Sequence, residues 1–441
     1  MNSQKVIVRF PPSPTGNLHI GNIRSFLFNY LFAKQNNGDI VFRFEDTDTE
    51  RSKKEYENVA IRTLQELGLL WDRGPFRQSD RLEFYQDAIN TLLNEDRAYE
   101  AEESEHGDGK IIRFRNPNKK IKFFDRLRGE IEIDSSTFGD FVIARNKQSP
   151  LYHLTVVVDD IDMGVTDVIR GEDHITSTPR QIMLIEALGG IVPNYTHLPL
   201  IIGEDKKKLG KRHGAVTWDD FKNQGYLAEG VINYLALLGW HPIDEREIFS
   251  LEELIKEFEL DRVQTSPAIF SYTKLDDINR EWMLKLSIDD YRENAHRFIP
   301  EEYYKNDKKW EKIIDLVIHE RIKKFSEILD MMDGGEFYYY FNKPQIEKEK
   351  LIFKKSDLEE TVNLLNKELE FYEKYEGNWD KENLKNLIWD WTSDVGRGQA
   401  LHPLRMALSG VERSPDPFLL MDILGREESL ERIKKAIEIL G

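Results

Sequence analysis

The chain has 441 residues, which suggests roughly three domains and enough sequence to bury sizeable cores. It carries 62 basic and 80 acidic residues, a net charge of -18, so nonspecific nucleic-acid binding across the whole surface is excluded. There is no cysteine, which excludes disulfides and thiolate metal sites. The N-terminus lacks the apolar run of a signal peptide and no stretch of about 18 apolar residues occurs, so a cytoplasmic protein is expected.

A strand, a turn and a helix are predicted at the start of the chain. Residues 5–10 alternate as a strand does, and residues 23–33 are rich in Leu and Phe as in a helix. The turn between them contains Pro11, Pro12, Pro14, Gly16 and Gly21. Glycines allow close backbone approach to a ligand, and a helix N-terminus favours phosphate, to which His19 can add a donor. The alternative is an ordinary tight turn with His19 on the surface.

Strands and helices then alternate as far as residue 95. Residues 40–44 are a predicted strand followed by Glu45, and helical spacing occurs in residues 56–67 and 82–93. This alternation favours a parallel sheet in an α/β layer. Ligands bind beyond the carboxyl ends of such strands, where His19 and Glu45 would both lie.

Residues 96–151 break this alternation with short β-like pieces at 111–114, 129–133 and 140–144. The α/β pattern resumes with predicted strands at 155–158 and 165–169, and a helix opened by Pro179 follows. Arg170 then ends one strand as Arg9 ends the first. A lone Arg at a strand end is usually a surface ion-pair residue, but two converging guanidiniums favour an anion between them, such as a substrate with two carboxylates.

A further strand is predicted at 197–203, followed by a basic loop at 206–214. Such a loop is either a solvated surface or a mobile phosphate clamp. Beyond Val216 the chain is mostly helical, with apolar stripes at 227–238 and 310–325 that indicate bundle cores. The aromatic cluster 338–341 is interpreted as core rather than a base-stacking surface.

Two segments carry a family resemblance. Residues 9–22, Arg-Phe-Pro-Pro-Ser-Pro-Thr-Gly-Asn-Leu-His-Ile-Gly-Asn, resemble the first signature of class I aminoacyl-tRNA synthetases, in the form typical of the glutamyl-tRNA synthetase family. Residues 208–212, Lys-Leu-Gly-Lys-Arg, resemble the second signature, and Arg-Gly-Glu-Asp-His at 170–174 lies between them as in the family. The chain departs from the family at Asn22 (usually a small residue), Gly210 (usually Ser) and Val156 (often Asn).

The resemblance implies a Rossmann-like α/β fold, a parallel-sheet catalytic domain split by an inserted acceptor-binding domain and followed by an all-α anticodon-binding region. The implied halves of the catalytic domain are residues 1–95 and 152–220, with the insert at 96–151. A helical stem-contact region at 221–300 and an anticodon-binding region at 301–441 follow. The insert is short, as expected if the family's Cys-rich zinc knuckle is lost, so no zinc is predicted.

The resemblance also implies the reaction: L-glutamate is activated by Mg2+-bound ATP and transferred to the 3' end of tRNA. Arg170 or Arg9 would bind carboxylates, Glu45 the ammonium group, and Lys211 the departing phosphates. The implied catalytic residues are His19, Lys208 and Lys211. The implied ATP-binding residues are His19, Gly21, Asn22, His174, Lys208, Lys211 and Arg212. The implied glutamate-binding residues are Arg9, Ser13, Glu45, Tyr152 and Arg170.

Three other functions compete with this one. A glutaminyl-tRNA synthetase has a closely related amino-acid pocket. A nucleotidylyltransferase of similar fold shares a His-containing turn but does not need the helical C-terminal third. A catalytically inactive tRNA-binding paralogue would not need Arg9, Arg170, Lys208 and Lys211. The partners expected from the resemblance are tRNA, glutamate and ATP, with no membrane. A monomer is expected, and nothing in the sequence resembles a coiled-coil seam.

Overall fold

The computed structural model describes residues 5–48, 50–102, 110–207, 209–210, 214, 216–304, 308–354 and 356–441. It divides into two compact units, residues 1–282 and 283–441. The strands are β1 (Ile7–Phe10), β2 (Asp39–Phe44), β3 (Arg73–Arg77), β4 (Ala98–Glu102), β5 (Lys110–Phe114), β6 (Lys120–Asp125), β7 (Gly129–Asp134), β8 (Phe141–Asn146), β9 (Ser149–Pro150), β10 (Asp167–Gly171), β11 (Asn194–Leu198), β12 (Ile201–Ile202) and β13 (Ala268–Ile269).

The helices follow the same chain order. They are α1 (Ile20–Gln35), α2 (Lys54–Glu66), α3 (Leu82–Asn94), α4 (Tyr152–Asp162), α5 (Thr178–Ala187), α6 (Trp218–Asn223), α7 (Ala228–Leu237), α8 (Leu251–Glu257), α9 (Tyr272–Met283), α10 (Ile288–His296), α11 (Glu301–Tyr304), α12 (Lys309–Ile313), α13 (Glu327–Asp333), α14 (Tyr338–Phe341), α15 (Lys348–Leu351), α16 (Leu358–Lys374), α17 (Lys381–Val395), α18 (Arg397–Ser409), α19 (Pro417–Leu424) and α20 (Arg426–Leu440).

A parallel sheet organises the first unit, as predicted. β1 pairs with β2 and β2 with β3, while β10 pairs with β11, all in parallel. The Thr166 N–H donates to the Ile7 carbonyl oxygen at 2.9 Å, which ties β10 to the free side of β1. The strand order is therefore β3-β2-β1-β10-β11. The chain proceeds outward in opposite directions from the junction of β1 and β10, and α/β sheets bind ligands at such a junction.

The segment between the two halves of this sheet is rich in β-strands. β4, β5, β8 and β9 form an antiparallel sheet in that order. The hairpin of β6 and β7 extends the catalytic sheet instead, because Asp125 at the end of β6 pairs in parallel with Tyr195 of β11.

Two predictions about secondary structure are wrong. Residues 155–158, predicted as a strand, lie inside helix α4, where Val156 and Val157 are each 2 % exposed. A short, fully buried run of β-branched residues fits either structure, since it lacks the periodicity that separates them. The strand predicted at 197–203 is interrupted at Pro199, since β11 ends at Leu198 and β12 pairs with β13 in a separate small sheet.

The described residues of the second unit contain helices and no strand. The predicted stripe around Trp310 is buried, although its helix α12 continues as a π-helical turn over Ile314–Ile318. Tyr339 and Tyr340 are also buried, in agreement with their interpretation as core, whereas Tyr338 is exposed. Across the described residues, no helix combines the length and the apolar character needed to span a membrane.

Candidate active site

The turn after β1 ends in an unusual helix cap made by His19. The Nδ1 atom of His19 accepts the Gly21 N–H at 3.0 Å, and the Oδ1 atom of Asn22 accepts the His19 backbone N–H at 3.3 Å. A Cβ atom at position 21 would lie 2.7 Å from the His19 ring, so only glycine leaves room for this imidazole. Because Nδ1 acts as an acceptor, the proton of the neutral ring is on Nε2.

A cavity of about 1170 Å3 opens where β1 and β10 meet. Every candidate site residue that the structure describes lines this cavity: Arg9, Ser13, His19, Gly21, Asn22, Glu45, Tyr152, Arg170 and His174. The carboxyl ends of β1, β2 and β10 bring Arg9, Glu45 and Arg170 to one edge of the sheet.

Arg43, which the sequence analysis did not single out, lies at the centre of an acidic cluster that includes Glu45 of the cavity lining. Its side chain is fully buried, with Nη2 3.0 Å from Asp160 Oδ1 and Nε 3.3 Å from Asp159 Oδ2. The same Nη2 lies 3.6 Å from Glu45 Oε1. Asp160 also accepts the Nε–H of Arg9 at 3.4 Å, so Arg9 and Arg43 share one carboxylate.

The pKa of Glu45 lies close to neutral pH. Burial raises its pKa to about 7, against the opposing influence of Arg43 and Arg9. A carboxyl group in a cleft with a pKa of about 7 is characteristic of functional sites. A cation that binds beside it would favour its ionised form.

Arg170 lies in a different environment. It is 7 % exposed, and it donates to the Gln181 Oε1 atom at 2.8 Å, the Thr178 hydroxyl at 2.7 Å and the His197 Nε2 atom at 3.2 Å. A longer bond of 3.5 Å reaches the His174 carbonyl oxygen. Within the described residues, no carboxylate forms an ion pair with this guanidinium. Burial lowers the pKa of Arg170, and its charge is available for an anion in the cavity.

Tyr152 and His174 lie together beside Arg170. The Tyr152 hydroxyl is 3.3 Å from His174 Nδ1, and burial raises the pKa of Tyr152. Burial, followed by the charge of Arg170, lowers the pKa of His174 to about 4. His174 is therefore neutral at physiological pH and can accept or donate a hydrogen bond without adding charge.

Part of the predicted phosphate clamp lies outside the described residues, namely Lys208, Lys211, Arg212 and His213. Leu209 and Gly210 of the same segment line the cavity. The sequence analysis also did not identify Asp125, Thr178, Gln181 and His197 as relevant to the site. Only the position of Thr178 and Gln181 one helical turn apart, just after Arg170, offered a signal.

Comparison with known proteins agrees with this geometry. Residues 5–107 and 100–277 match the family model described as tRNA synthetases class I (E and Q), catalytic domain, and residues 290–437 match an anticodon binding domain. These matches define a class I aminoacyl-tRNA synthetase, and they confirm the predicted parallel-sheet catalytic domain and helical anticodon-binding region.

Similar proteins narrow the class to one family. The chain is 39 % identical to a glutamate–tRNA ligase of a Sulfurihydrogenibium species, over 98 % of this chain and 99 % of that protein. It is also 39 % identical to the glutamate–tRNA ligase of Aquifex aeolicus, over 99 % and 100 % of the two chains. A crystal structure of a glutamate–tRNA ligase from Elizabethkingia meningosepticum in complex with its amino acid superposes with a TM-score of 0.87 at 31 % identity, covering 99 % of this chain and 100 % of that one. The chain belongs to the glutamate–tRNA ligase family, as the sequence resemblance predicted.

Proposed function

We propose that this protein activates L-glutamate with ATP and transfers the glutamyl group to the 3' end of its tRNA. The observation that carries this proposal is that the buried Arg170 guanidinium, whose partners among the described residues are all neutral, lies in the same cavity as Glu45 and His19. An anionic amino acid supplies the missing negative charge. The family membership supports the same substrate.

The amino-acid side of the cavity suits a dicarboxylate with an ammonium group. Arg170 and Arg9 are assigned to the carboxylates, and Glu45 to the ammonium group. Tyr152 supplies a hydroxyl contact and Ser13 a further polar one. Glutamine lacks one of the two charges, so it would leave a buried cation without a partner, which favours glutamate over the glutaminyl alternative.

The chemistry requires positioning and charge neutralisation rather than a covalent nucleophile. The α-carboxylate of glutamate attacks the α-phosphate of Mg2+-bound ATP, and pyrophosphate leaves. His19 Nε2 and the N-terminus of α1 are assigned to phosphate oxygens. Gly21 and Asn22 are assigned to the wall of the nucleotide site, where the Asn22 side chain accepts the His19 backbone N–H. Lys208, Lys211 and Arg212 are assigned to the departing phosphates, and His174 to the vicinity of the nucleotide.

The second step transfers glutamate to a terminal ribose hydroxyl of tRNA. We assign residues 96–151 to the acceptor end, 221–300 to the stem and 301–441 to the anticodon. Because the net charge is -18, tRNA binding must rest on local cations and stacking, and its affinity should fall steeply with salt. One chain carries all the assigned residues, which agrees with a monomer.

Glutamate-dependent exchange between ATP and pyrophosphate, measured with and without tRNA, tests the proposal. Lys211→Ala should lower this exchange by orders of magnitude with little loss of tRNA affinity, because the partner of Lys211 is the leaving phosphate. Lys207→Ala is the matched control, since Lys207 is an exposed lysine of the same loop with no assigned role. Exchange with glutamine alone would support the glutaminyl alternative. Undetectable exchange with retained tRNA binding would support the inactive paralogue.

A further inference from the structure

Arg170 is oriented by four side chains from three parts of the first unit, which we call the Arg170 cradle: Asp125, Thr178, Gln181 and His197. Arg170 and His197 are register partners on the neighbouring strands β10 and β11. Thr178 and Gln181 come from helix α5, whereas Asp125 comes from the end of β6 in the segment between the two halves of the catalytic sheet.

The hydrogen bonds of the cradle determine which nitrogen of His197 carries the proton. The Asp125 Oδ2 atom lies 2.8 Å from His197 Nδ1 and also accepts the backbone N–H of His197 at 2.9 Å. A carboxylate can only accept, so Nδ1 must be the protonated nitrogen of a neutral ring. Nε2 then carries a lone pair, which accepts the Nε–H of Arg170 at 3.2 Å.

Asp125 is itself firmly held and has no exposed surface. Its second oxygen, Oδ1, accepts the backbone N–H groups of Leu127 and Arg128 at 3.0 and 2.9 Å. The carboxylate therefore has fixed geometry, and it fixes the His197 ring in turn. Burial lowers the pKa of His197, which agrees with a neutral ring.

We propose that Asp125 and His197 are positioning residues that aim the Arg170 guanidinium at the substrate carboxylate without neutralising it. This proposal rests on the assignment of Arg170 to glutamate made above. A carboxylate in direct contact with Arg170 would compete with the substrate for the same donors. The neutral imidazole of His197 lies between Asp125 and Arg170 and orients the guanidinium through Nε. The Asp125 carboxylate is thereby kept out of direct contact with Arg170.

The number of N–H donors on Arg170 agrees with a guanidinium that is oriented but still able to bind a carboxylate. Arginine has five N–H donors, and the cradle uses three of them in bonds of 3.2 Å or less. A fourth donor, on Nη2, makes only a long contact of 3.5 Å with the His174 carbonyl oxygen, and one N–H on Nη1 has no partner among the described residues. These two donors are left for a carboxylate in the cavity that Arg170 lines. Since each charge-assisted hydrogen bond also fixes direction, loss of the His197 acceptor should weaken substrate binding even though Arg170 keeps its charge.

Three full-length variants test the role of His197. His197→Leu should raise the KM for glutamate about 10- to 100-fold, because one hydrogen bond to a charged group is lost, while kcat and the KM for ATP stay within about threefold. His197→Gln places an amide oxygen close to the position of Nε2 and should recover most of the affinity. Thr196→Val is the control, because Thr196 is also buried on β11 but points to the opposite face.

The protonation state supplies a readout that a purely structural role would not move. Long-range 1H–15N spectra of the 15N-histidine-labelled wild-type protein should show one Nδ1–H tautomer that disappears in His197→Gln. Asp125→Asn should convert this signal to the Nε2–H form and raise the KM for glutamate, because Nε2–H and the Nε–H of Arg170 are then two donors facing each other. The wild-type measurement holds even if a variant does not fold.

The outcomes separate this proposal from the function on which it rests. Absence of glutamate-dependent exchange by the wild-type protein would overturn both. Normal exchange with an Nε2–H tautomer of His197, or equal KM values for His197→Leu and Thr196→Val, would overturn the positioning role alone.

Discussion

Arg43 and Arg170 are both buried near the carboxyl ends of parallel strands, but their surroundings differ. Arg43 contacts the carboxylates of Asp159, Asp160 and Glu45, whereas the hydrogen-bond partners of Arg170 in the described part of the chain are all neutral. Although burial disfavours the charge of Arg43, these carboxylates raise its pKa above the ordinary value. Burial lowers the pKa of Arg170. Arg43, whose charge is compensated by three carboxylates, therefore belongs to the scaffold, whereas the uncompensated charge of Arg170 is kept for a ligand.

The largest expected effect on stability is that of Arg43→Met. Removing the guanidinium takes a counter-ion from three buried or half-buried carboxylates, of which Asp159 keeps Arg81 at 2.8 Å and Asp160 keeps Arg9 at 3.4 Å. The free energy of unfolding should therefore fall by about 3 kcal/mol, the lower end of the range for a broken buried pair. Arg62→Met is the control, because Arg62 pairs with Asp219 on the surface at 2.7 Å and such pairs contribute about 0–1 kcal/mol. Urea unfolding measures both. Similar losses in the two variants would remove the distinction between Arg43 and a surface arginine.

Arg170→Met should show the opposite profile. The free energy of unfolding should change by no more than about 1 kcal/mol, because the variant removes a buried charge that has no counter-ion among the residues that the structure describes. The KM for glutamate should rise at least about 100-fold, since the substrate carboxylate loses its cation, while the KM for ATP barely changes. Steady-state exchange kinetics check this expectation. Equal losses for both substrates would show that Arg170 is structural.

A smaller, pH-dependent effect is expected from Glu45, whose pKa is about 7. Only the ionised carboxylate attracts the ammonium group of glutamate, so the KM for glutamate should fall about tenfold between pH 6 and pH 8 as Glu45 loses its proton. The pKa values of His153 and His174 are lowered to about 4, so these rings stay neutral in that window. Glu45→Gln should abolish the pH dependence, and a pH dependence that persists in this variant would assign it to another group.

Protonation of Glu45 weakens glutamate binding but stabilises the folded protein. The folded pKa of Glu45 is raised above its ordinary value of 4.5, so the folded state holds a proton that the unfolded state releases. This contribution to stability is fully present below pH 4.5 and is lost as the pH rises through 7. The site is therefore better suited to bind glutamate at a pH where it stabilises the fold less.

The sequence predicted the position of Arg170 at the site but not the partners that distinguish it from Arg43. Arg9, Glu45 and Arg170 follow or end predicted parallel strands, and parallel strands bring their carboxyl ends to one edge, so their convergence could be expected. The side chains that surround Arg43 and Arg170 could not be predicted from the sequence. Asp125 reaches His197 from 72 residues away, through a hairpin whose first strand was not predicted.

The sequence also did not predict that Asp159 and Asp160 contact Arg43. They follow a run of valines that the pattern predicted as a strand, whereas helix α4 places their carboxylates around Arg43. Tertiary burial overrode the β-propensity of this run, and a run of four residues is too short for periodicity to have shown it.

The smallest expected effect concerns Asn22, whose predicted contact with the nucleotide remains untested. Its Oδ1 atom already accepts the His19 backbone N–H, so the side chain resembles Arg43 in having its partner within the protein. Asn22→Ala should lower the free energy of unfolding by about 0.5–2 kcal/mol, the usual cost of a lost helix cap, and change the KM for ATP less than about threefold. Asn22→Asp keeps an acceptor for the His19 N–H and should retain the stability. Its added negative charge should weaken ATP binding if the phosphates lie at this helix N-terminus. Unchanged stability in Asn22→Ala together with a large rise in the KM for ATP would instead make Asn22 a nucleotide ligand, comparable to Arg170 rather than to Arg43.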